Sequence, residues 1–113
     1  IKYSDELFSA DNSINISKLS NQKVDVITGI VNSENLIKHL EKKGLFINHF
    51  KYPDHYDYKQ KDILKLKDNF IITTEKDYTK LRKFNIENLY YLPIRMEVSA
   101  EKTLMEKIEE KIG

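Results

Sequence analysis

The sequence predicts an α/β domain of three layers, α/β/α, around a mainly parallel sheet of four to five strands. Short β-branched or aromatic runs alternate with amphipathic stretches of about ten residues, the pattern of parallel strands joined by helical crossovers. The run Phe70-Ile71-Ile72-Thr73 is apolar at consecutive positions, as a strand covered on both faces requires. With 113 residues, 40% hydrophobic and 33% charged, the chain has the material for a single core.

Residues 1–23 are polar and weakly periodic. Asp11-Asn12-Ser13 is a turn signal, and Ile14, Ile16 and Leu19 are the apolar positions, which predicts a linker carrying one short edge strand. The α/β lobe is expected over residues 24–113. Val24 to Ile30 is β-branched and contains Gly29, so it reads as a buried strand. Asn32 is the expected N-cap of the next helix, with Glu34 in its first turn. Leu36, Ile37 and Leu40 recur at helical spacing, and Gly44 supplies the left-handed stop.

Leu45 to Tyr52 alternates as a second strand, which Pro53 ends. Lys59 to Asp68 predicts a largely polar helix with Ile63, Leu64 and Leu66 on one stripe. After the strand at Phe70, Thr74 caps a helix, with Asp77 three residues on as a variant capping box and Leu81 and Phe84 facing inward. Leu89-Tyr90-Tyr91-Leu92 reads as a fourth strand. A final helix from Ser99 would line up Leu104, Met105, Ile108 and Ile112.

Composition narrows the function classes. Lys+Arg at 19 against Asp+Glu at 18 leaves a net charge of +1 with the signs mixed along the chain, so the basic footprint of a nucleic-acid binder is missing. No run reaches the roughly 18 apolar residues of a membrane span. The lack of cysteine excludes disulfides and thiol catalysis. Neither a GxxxxGK[ST] loop nor a GxGxxG occurs, so the sequence carries no known loop for a nucleotide triphosphate. Because the chain opens on Ile1 and its first strong strand begins at Val24, it is expected to be a piece of a longer protein.

Ligands of parallel α/β sheets approach the carboxyl ends of the strands. Three segments fall there: Gly29 to Asn32, Pro53 to Asp57, and Thr73 to Asp77. In Tyr52-Pro53-Asp54-His55-Tyr56-Asp57-Tyr58 a histidine stands between carboxylates and phenols, where either Asp54 or Asp57 within about 4–6 Å would favour the imidazolium. The residue pattern leaves three readings open: a proton relay, a turn histidine capping the following helix, and a metal group of Asp54, His55 and Asp57 without a second histidine or cysteine cluster. Thr74 and Lys76 could face a phosphate at the helix start, or Lys76 and Asp77 could be solvated positions of a capped helix.

The order ITGIVN, an apolar helix ending KKG, YPDHYDY, IITTEKDYTKLR and LYYLPI resembles the carboxyl-terminal half of the tetraacyldisaccharide 4'-kinase (lipid A kinase) family over about residues 24–98. Ser33 stands where that family usually has proline. The resemblance implies a two-lobed P-loop kinase that moves the γ-phosphoryl of ATP, with Mg2+, to a sugar hydroxyl of a lipid A precursor. The setting implied is the cytoplasmic face of the bacterial inner membrane. The partners implied are the amino-terminal P-loop lobe, which holds most of the ATP and Mg2+ contacts, the lipid substrate and the membrane surface. His55 corresponds to the family histidine that pairs with a catalytic aspartate of the other lobe. Asp54 would orient that ring, Tyr58 and its aromatic neighbours would shape the loop, and Thr74, Lys76 and Asp77 would lie at the interlobe cleft toward the cofactor. A fragment alone would be inactive. Two other classes compete: a non-catalytic interaction or regulatory module, and a small-anion binder using the helix starts at Asn32 and Thr74.

Overall fold

The computed structural model describes residues 2–66 and 70–95. In chain order the elements are β1 (Lys2–Tyr3), β2 (Glu6–Phe8), β3 (Ser13–Asn15), a 3-10 turn (Ile16–Leu19), β4 (Lys23–Thr28), α1 (Glu34–Lys42), β5 (Phe46–Lys51), α2 (Gln60–Ile63), β6 (Ile71–Thr74), α3 (Glu75–Leu81), a second 3-10 turn (Arg82–Phe84), β7 (Leu89–Leu92) and β8 (Ile94–Arg95).

One sheet runs β3-β2-β7-β6-β4-β5, and β1 pairs with β8 in a separate two-stranded ribbon. The four strands β5, β4, β6 and β7 are mutually parallel, joined at registers such as Val26↔His49, Val26↔Ile72 and Ile72↔Tyr90. The β2–β3 hairpin adds to the β7 side antiparallel, with Phe8 opposite Tyr91. Six strands therefore replace the four to five expected. The excess comes from the first residues, which were expected to hold a single edge strand. Their three-residue strands are too short to show a reliable alternation, yet Leu7, Ile16 and Leu19 are all buried.

Alternation along the parallel strands sends side chains to two cores. Val24 and Val26 of β4, Ile72 of β6, and Tyr90 and Leu92 of β7 pack with Leu36 and Leu40 of α1 and with Leu7, Ile16 and Leu19. On the opposite face Ile27, Ile71 and Leu89 pack with Leu81 of α3, Tyr58 and the partly buried Ile63 and Tyr78. Helices thus cover both faces, giving the three layers expected.

Some boundaries differ from the sequence reading. α1 begins one residue later than the Asn32 cap implies: Ser33 is its N-cap without a side-chain bond, while Asn32 Oδ1 accepts from Glu34 N–H at 3.2 Å. Gly44 does stop the helix in the left-handed region, at φ 90°. The helix expected over residues 59–68 closes after one turn, at Ile63. Residues 67–69 and the helix expected from Ser99 lie outside the described residues.

Candidate functional site at the carboxyl rim of the sheet

The chain leaves β4 toward β5 on one side, then crosses back so that β6 lies on the other side of β4. Such a switch of direction opens a crevice at the carboxyl ends of the strands. The loops that meet there begin at Gly29 after β4, at Tyr52 after β5 and at the β6–α3 junction around Thr74.

The loop after β5 is a tight turn. Tyr56 N–H donates to the Pro53 carbonyl at 3.1 Å, and His55, third in the turn, sits at φ 63°. Left-handed backbone costs an L-residue roughly 1–2 kcal/mol and is usually left to glycine or asparagine. Neighbouring side chains hold the turn in place. Tyr52 and Tyr56 stack at 4.5 Å between centroids, and Tyr58 meets both edge-on at 5.5 and 5.2 Å. Buried Asp62 accepts from Tyr56 Oη–H and from Lys59 N–H, each at 2.9 Å. Burial pushes the Asp62 carboxyl up, but the bonds from Lys59 and the two tyrosines outweigh it and leave the group below the ordinary carboxylate range.

The effect of this scaffold is to hold the His55 ring out. Its side chain is 76% exposed, and Nε2 lies 3.2 Å from Asp54 Oδ2. The other oxygen of Asp54 faces Lys76 Nζ at 3.4 Å, across from α3. Three of the predicted site residues therefore stand in one line, His55, Asp54 and Lys76. Asp57 does not join them; it pairs with Lys59 at 2.9 Å, which holds its carboxyl below the usual range. His55 does not cap the following helix either, since the N-cap of α2 is Lys59.

Thr74 and Asp77 occupy a different setting. Thr74 Oγ accepts from Asp77 N–H at 3.0 Å and caps α3, as expected, while its own hydroxyl donates to Asp77 Oδ2 at 2.7 Å. The same oxygen of Asp77 accepts from Gly29 N–H at 2.9 Å. Asp77 is fully buried, so the solvated reading of this position does not describe it. Tyr58 Oη and Asp77 Oδ1 converge on Gly29, and neither makes a hydrogen bond of standard geometry among the described residues. Burial first, and the nearby Asp77 carboxylate second, push the Tyr58 hydroxyl far above the ordinary phenol value.

The two remaining histidines serve the fold. His39 Nε2 bonds the Ser4 carbonyl at 3.1 Å, and His49 Nε2 bonds Thr28 Oγ at 2.8 Å. Sequence reasoning missed the Asp62 anchor and the Asp77–Gly29 bond. Asp62 sits in a polar stretch without any signal of burial. For Asp77, the capping pattern correctly located the residue but gave no sign of a partner 48 positions away. Among the described residues no group of three or more His, Cys, Asp or Glu side chains could hold a metal ion, which leaves the metal reading of Asp54, His55 and Asp57 without support.

Comparisons with known proteins agree on one family. The family described as Tetraacyldisaccharide-1-P 4'-kinase matches residues 4–113. A tetraacyldisaccharide 4'-kinase of Flavobacterium psychrophilum is 35% identical over 96% of this chain and 33% of its own length. One from Methylobacillus flagellatus is 34% identical over 82% of this chain and 27% of its own, and one from Pelagibacter ubique is 34% identical over 74% and 29%. The chain thus spans about a third of the length of the curated relatives it matches. No solved structure matches it. A rim carrying PDHY and TTEKD, set on this order of strands and helices, together with a family match over nearly the whole sequence, means that the chain belongs to the tetraacyldisaccharide-1-P 4'-kinase family.

Proposed function

We propose that this chain is the carboxyl-terminal lobe of a two-lobed kinase that transfers the γ-phosphoryl of ATP to a sugar hydroxyl of a tetraacyldisaccharide lipid A precursor. The observation that carries the reading is His55, exposed on the rim at a strained φ of 63° with Asp54 against its ring. Strain held in place by a rigid surround is characteristic of functional positions. Nothing in the packing of the lobe calls for an imidazole there.

Phosphoryl transfer depends on placement of the reactants and on neutralisation of charge. In this reading the imidazole of His55 faces an aspartate of the amino-terminal lobe and helps it take the proton of the acceptor hydroxyl. Asp54 orients the ring through its 3.2 Å contact. Lys76, half exposed, is the member of the Thr74, Lys76, Asp77 group whose charge reaches solvent, and it is assigned toward phosphoryl oxygens in the cleft. Thr74 Oγ and Asp77 Oδ2 are taken up by the α3 cap and by Gly29. Mg2+ does not fit this rim, because the one carboxylate beside the ring is already matched by Lys76 and His55; its ligands are assigned to the amino-terminal lobe. Among the described residues no helix is long and apolar enough to cross a membrane. The same reading places the full-length enzyme at the cytoplasmic face of the inner membrane as a peripheral protein.

The test is transfer of labelled γ-phosphoryl from ATP to a tetraacyldisaccharide 1-phosphate by the full-length kinase, with and without His55→Ala. The reading expects a turnover loss of about 10²–10⁴-fold, the usual contribution of a positioned proton carrier. Turnover within a few-fold of wild type would assign the rim to docking instead. A docking role has some support from Val31, 79% exposed in the loop after β4.

A further inference from the structure

We propose that Asp77 is a positioning residue whose buried carboxylate fastens the loops after β4, β5 and β6 into one frame and so sets where His55, Asp54 and Lys76 stand. The proposal rests on the reading of those three residues as the reactive line of the rim, and it assigns Asp77 a role different from contact with the cofactor.

The connections run through Gly29. Its N–H is held by Asp77 Oδ2 at 2.9 Å, which ties the β4 loop to α3. A Cβ on Gly29 would stand 2.7 Å from Tyr58 Oη, 3.2 Å from Asp77 Oδ1 and 3.3 Å from the Pro53 carbonyl oxygen. Only a glycine allows the β4 loop to lie this close to the β5 loop. The Pro53 carbonyl it rests against is the acceptor that closes the turn carrying Asp54 and His55. Lys76 precedes Asp77 on the first turn of α3, so its ammonium is placed by the same anchor. One carboxylate therefore governs both ends of the His55–Asp54–Lys76 line.

Two donors share Oδ2 of Asp77. Gly29 N–H donates to it. Thr74 Oγ already accepts from Asp77 N–H, so the hydroxyl hydrogen goes to Asp77 Oδ2. Tyr58 stays a neutral phenol beside Oδ1, where its hydroxyl can donate or accept. In Asp77→Asn one neutral amide oxygen must take both donors, a weaker acceptor than a carboxylate oxygen, so the hold on Gly29 N–H loosens at nearly unchanged volume.

Two arms test the proposal. In the first, two-dimensional NMR of the full-length kinase follows the Gly29 amide and the His55 ring in wild type, Asp77→Asn and Thr74→Val, below the unfolding temperature of each. The expected result is amide exchange at Gly29 faster by about tenfold or more in Asp77→Asn, together with displaced His55 ring signals in both variants. If Asp77→Asn does not fold, Thr74→Val, which removes the hydroxyl that donates to Asp77 Oδ2, decides through the same signals. Unmoved His55 signals in folded variants overturn the proposal. In the second arm, the full-length kinase carries Asp77→Asn, His55→Ala and both. A frame that acts through His55 lowers kcat about ten- to a hundredfold with little change in KM for the acceptor, and adds little once His55 is gone. Fully additive losses would mean that Asp77 is merely structural. Should His55→Ala leave turnover intact, the functional reading falls, and the NMR arm still judges the frame.

Discussion

His55 pays for its place with an unfavourable backbone angle, and the surrounding side chains explain how the strain survives. Asp62 is the keystone of that support, since it accepts from both the backbone of Lys59 and the hydroxyl of Tyr56. Its carboxyl lies below the ordinary range in the folded chain, so its stabilisation is complete above the unfolded value near 4 and is lost as pH falls through the depressed folded value. Urea titrations should therefore find Asp62→Asn less stable than wild type at neutral pH, with the gap narrowing in acid below about pH 3. An equal gap at both pH values would contradict this account of the anchor. Tyr58 gives the opposite sign at the alkaline end. Its folded value is raised, so its contribution is intact below about pH 10 and declines as pH rises above that. In Tyr58→Phe the alkaline loss of stability should be shallower than in wild type. The candidate residues of the rim were legible from residue types alone: a histidine in a proline turn between acids stands out in any strand-helix sequence. Their partners were not, because Asp54 and Asp57 are equivalent on paper, and only the fold sends one toward the ring and the other to Lys59.

At the level of elements, the parallel strands and the two larger helices were readable because each carries its own signal. β4 is β-branched, α1 has a leucine stripe, Gly44 ends α1 at positive φ, and Thr74 caps α3. The elements that escaped are those whose existence depends on contacts distant in sequence. β2 and β3 are three residues each and form because β7 offers an open edge. The short α2 replaces a longer predicted helix because Asp62 and the tyrosines fix its first turn. Gly29 is the junction between elements where substitution should matter most. Gly29→Ala has no room for its methyl beside Tyr58 Oη and the Pro53 carbonyl, and backbone cannot yield as a flexible side chain does. A loss of about 1–3 kcal/mol is expected from chemical denaturation, as for other overpacked sites. A neutral effect would show that the β4 and β5 loops approach less closely than described.

Over the whole molecule, the first residues are part of the core. Leu7 is fully buried among Ile16, Leu19, Leu36 and Leu40, while Ser4 bonds His39 through its carbonyl and Asp5 meets Lys43 at 3.0 Å. Leu7→Ala should cost about 2–5 kcal/mol, the usual range for a buried leucine, and calorimetry should show a single transition moved down as a unit. A dispensable linker would leave the transition where it was. The same wholeness explains the rim: two cores on opposite faces hold β4, β5 and β6 in place, so their loops can present the His55–Asp54–Lys76 line without packing of its own. The family match covers residues 4–113, yet the curated relatives run to about three times this length, and in our reading the line is completed by a partner surface. The most direct measurement is the single-turnover rate of phosphoryl transfer by the full-length kinase bearing His55→Ala, with acceptor binding followed in the same samples. Binding unchanged and transfer slowed at least about a hundredfold is the predicted result; transfer at the wild-type rate would contradict it.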